Sequence, residues 1–289
     1  MAKGRELKGR IKSVENTRKI TRTMEMVATS KMKRAADRVS SARPYALALG
    51  EVLSHVYTPE LAERFPLLRR PAQTKRVALV VLTANRGLCG GFNTNLLREA
   101  RARLAELEKQ GVTVELHVVG KKGIGFFKYL GRTLAEQRAD ISDKPTAADA
   151  ASLIESLMTR FATGDIDAVH LTYAKYKSAL STPPATEQLL PVVAPQTAGA
   201  GAARDFILAP SADELLEALL PLYVRNAVYR ALVETAAGEQ GARRTAMKSA
   251  TDNATEILQL LKRTYNSARQ AQITQEIAEI VGGASALQG

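Results

Sequence analysis

The chain has 289 residues, 45% of them hydrophobic, which is ample for a buried core and excludes disorder as its main state. Its single cysteine, Cys89, excludes an internal disulfide and a cysteine-rich metal site. Forty-one Lys and Arg against 29 Asp and Glu leave +12, but residues 1–43 hold +9, residues 44–240 only +1 and residues 241–289 +2, so three quarters of the invitation to an anionic partner comes from one N-terminal segment.

Between Arg5 and His55 there is one proline and, after Gly9, no glycine before Gly50; Lys, Arg, Met, Ala and Glu dominate, which predicts one long helix. Its apolar residues recur in steps of three and four as Leu7, Ile11, Val14, then Ile20, Met24, Val27, then Ala28, Met32, Ala35, Val39. Such a narrow stripe, drifting between sets, suits a coiled-coil seam against one partner helix. Pro44 is expected to kink or end this segment, with a second helical piece through Leu47, Val52 and Leu53.

The β-rich runs Arg76–Leu82, Val112–Val119 and Ile166–Tyr173 alternate with helical patterns over Asn93–Gln110 and Ala147–Thr163. Alternating strand and helix predicts a small α/β domain whose sheet is covered on both faces. Pro183-Pro184 and the Ala198–Ala202 stretch read as loops, the latter as a linker out of the domain. Ser211 and Glu214 have capping-box spacing, and helix formers then continue to the end; Pro221 is expected to bend that helix, and Gly238 and Gly241 to weaken it by about 1 kcal/mol each relative to alanine. The later seam runs Ala254, Leu258, Leu261, Tyr265, Ala268 and, after a one-residue slip, Ile273, Ile277, Ile280, Ala284, Leu287.

The fold class that follows is α/β plus long α: an antiparallel coiled coil of the N- and C-terminal helices (1–58 and 211–289) around a central α/β domain (75–208). At 1.5 Å per residue, about 50 to 75 residues make a rod of roughly 75 to 110 Å. The longest apolar run, Val77–Leu82, has six residues, so no membrane span is expected, and the N-terminus leads into no signal-type hydrophobic stretch.

Four features could carry chemistry. Leu82–Asn93 is a glycine-rich loop between strand and helix, where α/β folds bind phosphates, but Gly87, Gly90 and Gly91 fit neither the dinucleotide fingerprint nor the P-loop spacing. A tight turn with close backbone packing at a contact surface is the favoured reading. Gly120-Lys121-Lys122-Gly123 lacks the upstream P-loop glycine and reads as a turn. His55, His117 and His170 are scattered, which argues against a metal site, and nothing nominates a base for Cys89. The basic N-terminal helix could grip nucleic acid, yet Glu6, Glu15 and Glu25 punctuate it and no aromatic precedes Tyr45; a charged coiled-coil face, or a partly exposed rod inside an acidic-lined protein partner, competes with that reading.

Three blocks in order, Ile11–Met32, Arg86–Gly91, and Met247–Ala254 with Ala268–Ile277, resemble the gamma subunit family of the F-type ATP synthase over essentially the whole chain. The resemblance implies a noncatalytic rotor shaft with a Rossmann-like central domain and without a cofactor or metal. It implies partners in the alpha and beta subunits of the catalytic hexamer, the epsilon subunit and the membrane rotor ring, and no nucleic acid. It also implies a peripheral location on the cytoplasmic face of a bacterial inner membrane. Met24 corresponds to the family methionine near the beta lever; Arg269, Gln270 and Thr274 to the polar residues that engage a beta loop; Arg86, Gly87 and Cys89 belong to the loop at the base of the rotor. The sequence departs from the family where Asn85 replaces the acidic residue common before the arginine and where Gly238 and Gly241 interrupt the long helix. No cysteine pair occurs in residues 175–215, so thiol regulation of the chloroplast kind is not supported.

Overall fold

The computed structural model describes residues 2–56, 64–178, 181–193 and 212–288. The Ala198–Ala202 linker and the Ser211 cap lie outside them. The elements are helix α1 (Ala2–Val56), a 3-10 turn (Pro66–Leu68), strand β1 (Arg76–Leu82), α2 (Phe92–Lys109), β2 (Thr113–Val119), α3 (Lys121–Tyr129), β3 (Leu134–Arg138), α4 (Ala147–Ala162), β4 (Ala168–Ala174), β5 (Pro184–Leu190) and α5 (Ala212–Gln288). Packing divides the chain into two compact units, residues 29–242 and residues 1–28 with 243–289. Both boundaries fall inside helices. The compact units thus cut across the secondary structure.

In the larger unit five strands lie in the order β3-β2-β1-β4-β5, parallel except for the antiparallel edge strand β5. The order is that of a doubly wound α/β fold, with the switch point between β1 and β4. Because side chains alternate across a strand, Leu79 and Val81 of β1 pack with Leu97, Ala100 and Leu104 of α2 and Phe127 of α3, while Ala78, Val80 and Leu82 pack with Leu153, Ile154 and Leu157 of α4. Burial on both faces explains why β1 reads as a continuous apolar run. Thr146 and Asp149 close a capping box on α4, each side chain accepting from the other's backbone N–H at 3.2 and 2.8 Å.

Three elements lack a strong sequence signal. β3 and β5 are edge strands, and their mixed polar residues reflect faces left partly open to water. The stretch read as a turn at Gly120–Gly123 instead opens α3. Gly120 stands at φ +99°, and a Cβ there would drive into the Thr83 carbonyl, so only glycine fits the entry to that helix.

Within the same unit, α1 and α5 cover the α4 face of the sheet. Leu53 shares a core with Leu216 and Leu220, and Ala35 and Val39 share one with Val233 and Ala237; as one helix ascends the other descends, so the pair is antiparallel. Pro44 does not end α1: it lies on the exposed face, where its missing N–H leaves the preceding turn open to water. Pro221 likewise sits within an unbroken α5.

The smaller unit holds residues 1–28 of α1 and 243–289 of α5. Its seam corrects the expected one. Ile20 and Val27 are 60% and 51% exposed, and Leu7, Ile11, Val14, Arg18, Thr21, Glu25 and Ala28 are covered in alternating steps of four and three, with Glu15 and Met24 half-buried beside them. The seam does not drift; it continues through polar residues that an apolar count skips. On α5 the matching set is Met247, Thr251, Ala254, Leu258, Leu261, Tyr265, Ala268 and Gln272. Thr21 and Thr251, both 9% exposed, bring their hydroxyls to 2.8 Å. An antiparallel register through that pair exhausts α1 near residue 270, which accounts for the exposure of Ile273, Ile277, Ile280 and Val281.

A polar layer lies between α2 and the sheet. Thr172 and Thr186 share a hydrogen bond of 2.9 Å, Thr186 donates to Glu99 at 3.1 Å, and His170 Nδ1 stands 3.5 Å from Arg103. Burial, then the Arg103 cation, holds His170 down to about 4. The folded state therefore rejects a proton that the unfolded chain accepts near pH 6.5. Stability is full above that pH and falls by about 3 kcal/mol as pH drops toward 4. Replacing His170 with Gln is expected to remove this component, measured as a flatter dependence of the urea midpoint on pH.

Candidate functional site: the switch-point crevice and the contact surfaces

Doubly wound sheets bind ligands in the crevice beyond the C-terminal strand ends, at the switch point. Here that crevice lies beyond Leu82 and Ala174, and the glycine-rich loop forms one wall. Thr83 is its hub. Its N–H and its buried hydroxyl both donate to the Val119 carbonyl at 2.8 Å, and the hydroxyl accepts from Gly123 N–H at 2.9 Å. These bonds tie the loop after β1 to the start of α3. Asn85 adds a two-sided bridge, donating to the Ile141 carbonyl at 2.9 Å and accepting from Lys121 N–H at 3.0 Å. A carboxylate could accept but not donate, which gives the departure at Asn85 a physical account.

The remainder of the loop turns back on itself. Ala84 N–H donates to Asn93 Oδ1 at 2.9 Å, and Asn93 Nδ2 donates to Cys89 Sγ at 3.2 Å. Leu88 adopts a left-handed backbone at φ +62°, a conformation costing roughly 1–2 kcal/mol for a residue with a side chain. It points an exposed apolar side chain outward, while Cys89 turns inward to 2% exposure beside Ala84, Phe92, Leu96 and Ala174. Cys89 is therefore removed from the expected contact set, because it is covered by its own domain. The alternation inside the turn puts Leu88 outside instead, together with exposed Arg86 and half-buried Gly87. Leu88 was missed because an apolar residue between glycines reads as packing.

The crevice is filled by α5. Thr235 Oγ1 accepts from Ala174 N–H at 3.3 Å, and Glu234 accepts from Tyr176 N–H at 2.8 Å, so α5 satisfies the donors that β4 presents at its end. Burial pushes the Glu234 carboxyl up, and the Tyr176 N–H opposes that rise. One turn further, Gly238 lies so close that a Cβ would stand 3.2 Å from Phe92 Cε2 and from Thr182 Cβ and Oγ1. Gly238 is thus a contact residue in an unbroken helix and not a soft point. Ala242 completes the packing against Ala84, Cys89 and Phe92.

Lys31 of α1 reaches Asp143, in the loop after β3, at 2.7 Å, and that cation holds the Asp143 carboxyl below its usual range. The other cations of α1 are largely unpaired: exposed Lys8, Lys12, Lys19, Arg22 and Lys33 make no ion pair among the described residues.

The remaining expected contact residues lie on the smaller unit. Met24 is half-buried beside the seam, while Arg269, Gln270 and Thr274 are exposed, Thr274 Oγ1 donating to the Gln270 carbonyl at 3.0 Å. The register through Thr21 and Thr251 sets Met24 beside Lys248, about 30 Å along the axis from Arg269. The expected contact residues therefore fall at two separated positions on this unit. Among the described residues no group of three or more His, Cys, Asp or Glu side chains could hold a metal ion, and no helix is long and apolar enough to cross a membrane.

Comparison with known proteins places these features in context. The family described as ATP synthase matches residues 3–287. The chain is 79% identical to an ATP synthase gamma chain of Gemmatimonas aurantiaca, with 100% of both chains covered. It is 45% identical to one of Leptospira biflexa, covering 99% of this chain and 100% of that one. Among solved structures it is similar to a chain of the central stalk and c-ring of Tetrahymena thermophila mitochondrial ATP synthase, with a TM-score of 0.62, 27% identity and coverage of 80% of this chain and 99% of that chain. A chain from the Euglena gracilis mitochondrial ATP synthase in rotational state 3 shares the fold at a TM-score of 0.68 and 22% identity, covering 99% of this chain and 95% of that chain.

Two outcomes are expected. Gly238→Val forces methyl groups against Phe92 and Thr182 and lowers stability by about 1–3 kcal/mol, read from the shift in urea midpoint. Titration of the purified chain with ATP in a calorimeter shows no saturable heat, since the crevice that would take a nucleotide is filled by Thr235 and Gly238; micromolar binding would contradict this.

Proposed function

The chain belongs to the ATP synthase gamma chain family and is the central-stalk rotor subunit; we propose that it couples proton flow through the membrane ring to ATP synthesis or hydrolysis in the alpha/beta hexamer. The observation that carries this reading is the filled switch-point crevice. A sheet that gives its ligand site to its own helix acts as a mount, and what it mounts is α5 through Glu234, Thr235 and Gly238. Torque applied to such a sheet passes into the helix through hydrogen bonds of 2.8 and 3.3 Å and close-packed backbone, with no hinge between them. On this reading the subunit has no catalytic site of its own, needs no cofactor, and changes the affinity of nucleotide sites that belong to other chains.

The parts divide accordingly. Segments 1–58 and 211–289 form the shaft and segment 75–208 the base, where the epsilon subunit and the membrane ring attach on the cytoplasmic face of the bacterial inner membrane. Arg86, Gly87 and the outward Leu88 contribute to that base. Met24 and the Arg269, Gln270, Thr274 group are two stations at which the beta subunits press on the shaft. The unpaired lysines of α1 supply attraction to acidic lever segments, and exposed charges at this spacing are screened and individually weak, about 1 kcal/mol or less. Contacts of that strength can break and re-form as the shaft turns.

The deciding experiment is co-purification of the tagged full chain with alpha and beta subunits. A chain that brings down no hexamer and instead retains DNA at ordinary salt would overturn the rotor reading. Within the assembled complex, Met24→Lys adds a cation at the Met24 station and is expected to lower proton-driven ATP synthesis several-fold while leaving the yield of complex unchanged. Equal losses of activity and assembly would mean that Met24 serves folding and not coupling.

A further inference from the structure

The outer face of α2 carries an imbalance that neither the shaft nor the crevice uses. All three carboxylates of α2 are engaged: Glu99 accepts from Thr186 at 3.1 Å, Glu106 holds Arg103 at 2.7 Å, and Glu108 holds Arg132 through two contacts of 2.6 and 3.1 Å. Arg98 and Arg101, one turn apart and exposed, have no acidic partner among the described residues. Elsewhere in the unit Arg76, Arg138, Arg160 and Arg225 are paired, while exposed Arg34, Arg43 and Arg86 make no ion pair among the described residues. The two free guanidiniums border an open groove of about 770 Å³ between α2 and α3. Exposed Ala102 and Ala105 keep its floor low, and Phe126 and Leu130 form an apolar wall. The far end is closed by the Arg132–Glu108 pair.

We propose that this groove docks an acidic amphipathic segment of another subunit of the complex, with an apolar side chain lying over Ala102 and Ala105 against Phe126 and carboxylates on Arg98 and Arg101. Charge complementarity selects this occupant. A planar guanidinium matches a carboxylate through two hydrogen bonds, and two of them one helical turn apart match carboxylates one turn apart on a facing helix. A nucleic-acid backbone needs a continuous basic track, and Glu106 and Glu108 interrupt the row. The apolar floor between the charges gives a protein side chain desolvated contact, which is where interface energy concentrates.

The proposal rests on the rotor reading, because the segment comes from the assembled complex. The test places a photoreactive benzoylphenylalanine at Ala105 of the full chain in that complex and identifies its cross-linked peptide by mass spectrometry. The expected result is a polypeptide cross-link at a segment with at least two carboxylates, its yield falling about tenfold in Arg98→Glu with Arg101→Glu. A second variant, Ala102→Trp, fills the groove without touching charge and is expected to lower the yield as far. Cross-links to lipid or nucleic acid alone, no cross-link, or a yield indifferent to both variants would overturn the groove assignment. Co-purification of alpha and beta subunits with the wild-type chain is read in the same preparation, so failure of the rotor reading shows there as loss of the hexamer, and failure of the groove shows as an intact complex without the acidic cross-link.

Discussion

The donors at the end of β4 constrain the rest of the larger unit. A strand that stops inside a protein leaves backbone N–H groups that must find acceptors, and here Ala174 and Tyr176 find them on Thr235 and Glu234 of α5. Satisfying those two groups requires α5 to lie across the strand ends, and that close approach requires a glycine where it meets Phe92 and Thr182. The helix then occupies the place where a doubly wound sheet ordinarily takes a ligand. A nucleotide-type fold thereby becomes a mounting block.

The same geometry gives the glycine-rich loop its work. Thr83, Asn85 and Asn93 hold the loop to the starts of α3 and α2, and Cys89 with Ala84 and Phe92 presents the surface against which Ala242 packs. Of this loop Arg86, Leu88, Gly90 and Gly91 stay exposed, Leu88 with an apolar side chain. Lys31 and Asp143 bring α1 to the same edge of the sheet, so both long helices are anchored where the loops converge. Rigid attachment is what a torque-bearing element needs, and here it combines apolar packing with polar bonds whose alternative is an unsatisfied group.

Much of the fold was legible because its signals are local or periodic. β1, α2, β2, α4 and β4 follow directly from buried strands and amphipathic helices, and the two long helices from composition. The missed elements fail for stated reasons: β3 and β5 are half-wet edge strands, and α3 begins at Gly120, a glycine required by Thr83, which lies 37 residues away in sequence and outside any local pattern. The coiled-coil seam was misread in the middle because Arg18, Thr21 and Glu25 occupy its core positions, and the apolar Ile20 and Val27 lie off it. Polar residues in a seam give up apolar burial, and here the Thr21 and Thr251 hydroxyls meet across it at 2.8 Å.

By itself the sequence determined the charge asymmetry, the helix–sheet–helix order and the resemblance that leads to the family, since these depend on composition and spacing along one chain. Tertiary structure alone decided that Cys89 faces inward and Leu88 outward, that Gly238 marks contact and not weakness, and that the phosphate-binding position is filled. Each of these depends on which distant backbone approaches, and a hydrogen bond between Tyr176 and Glu234 leaves no periodicity to read.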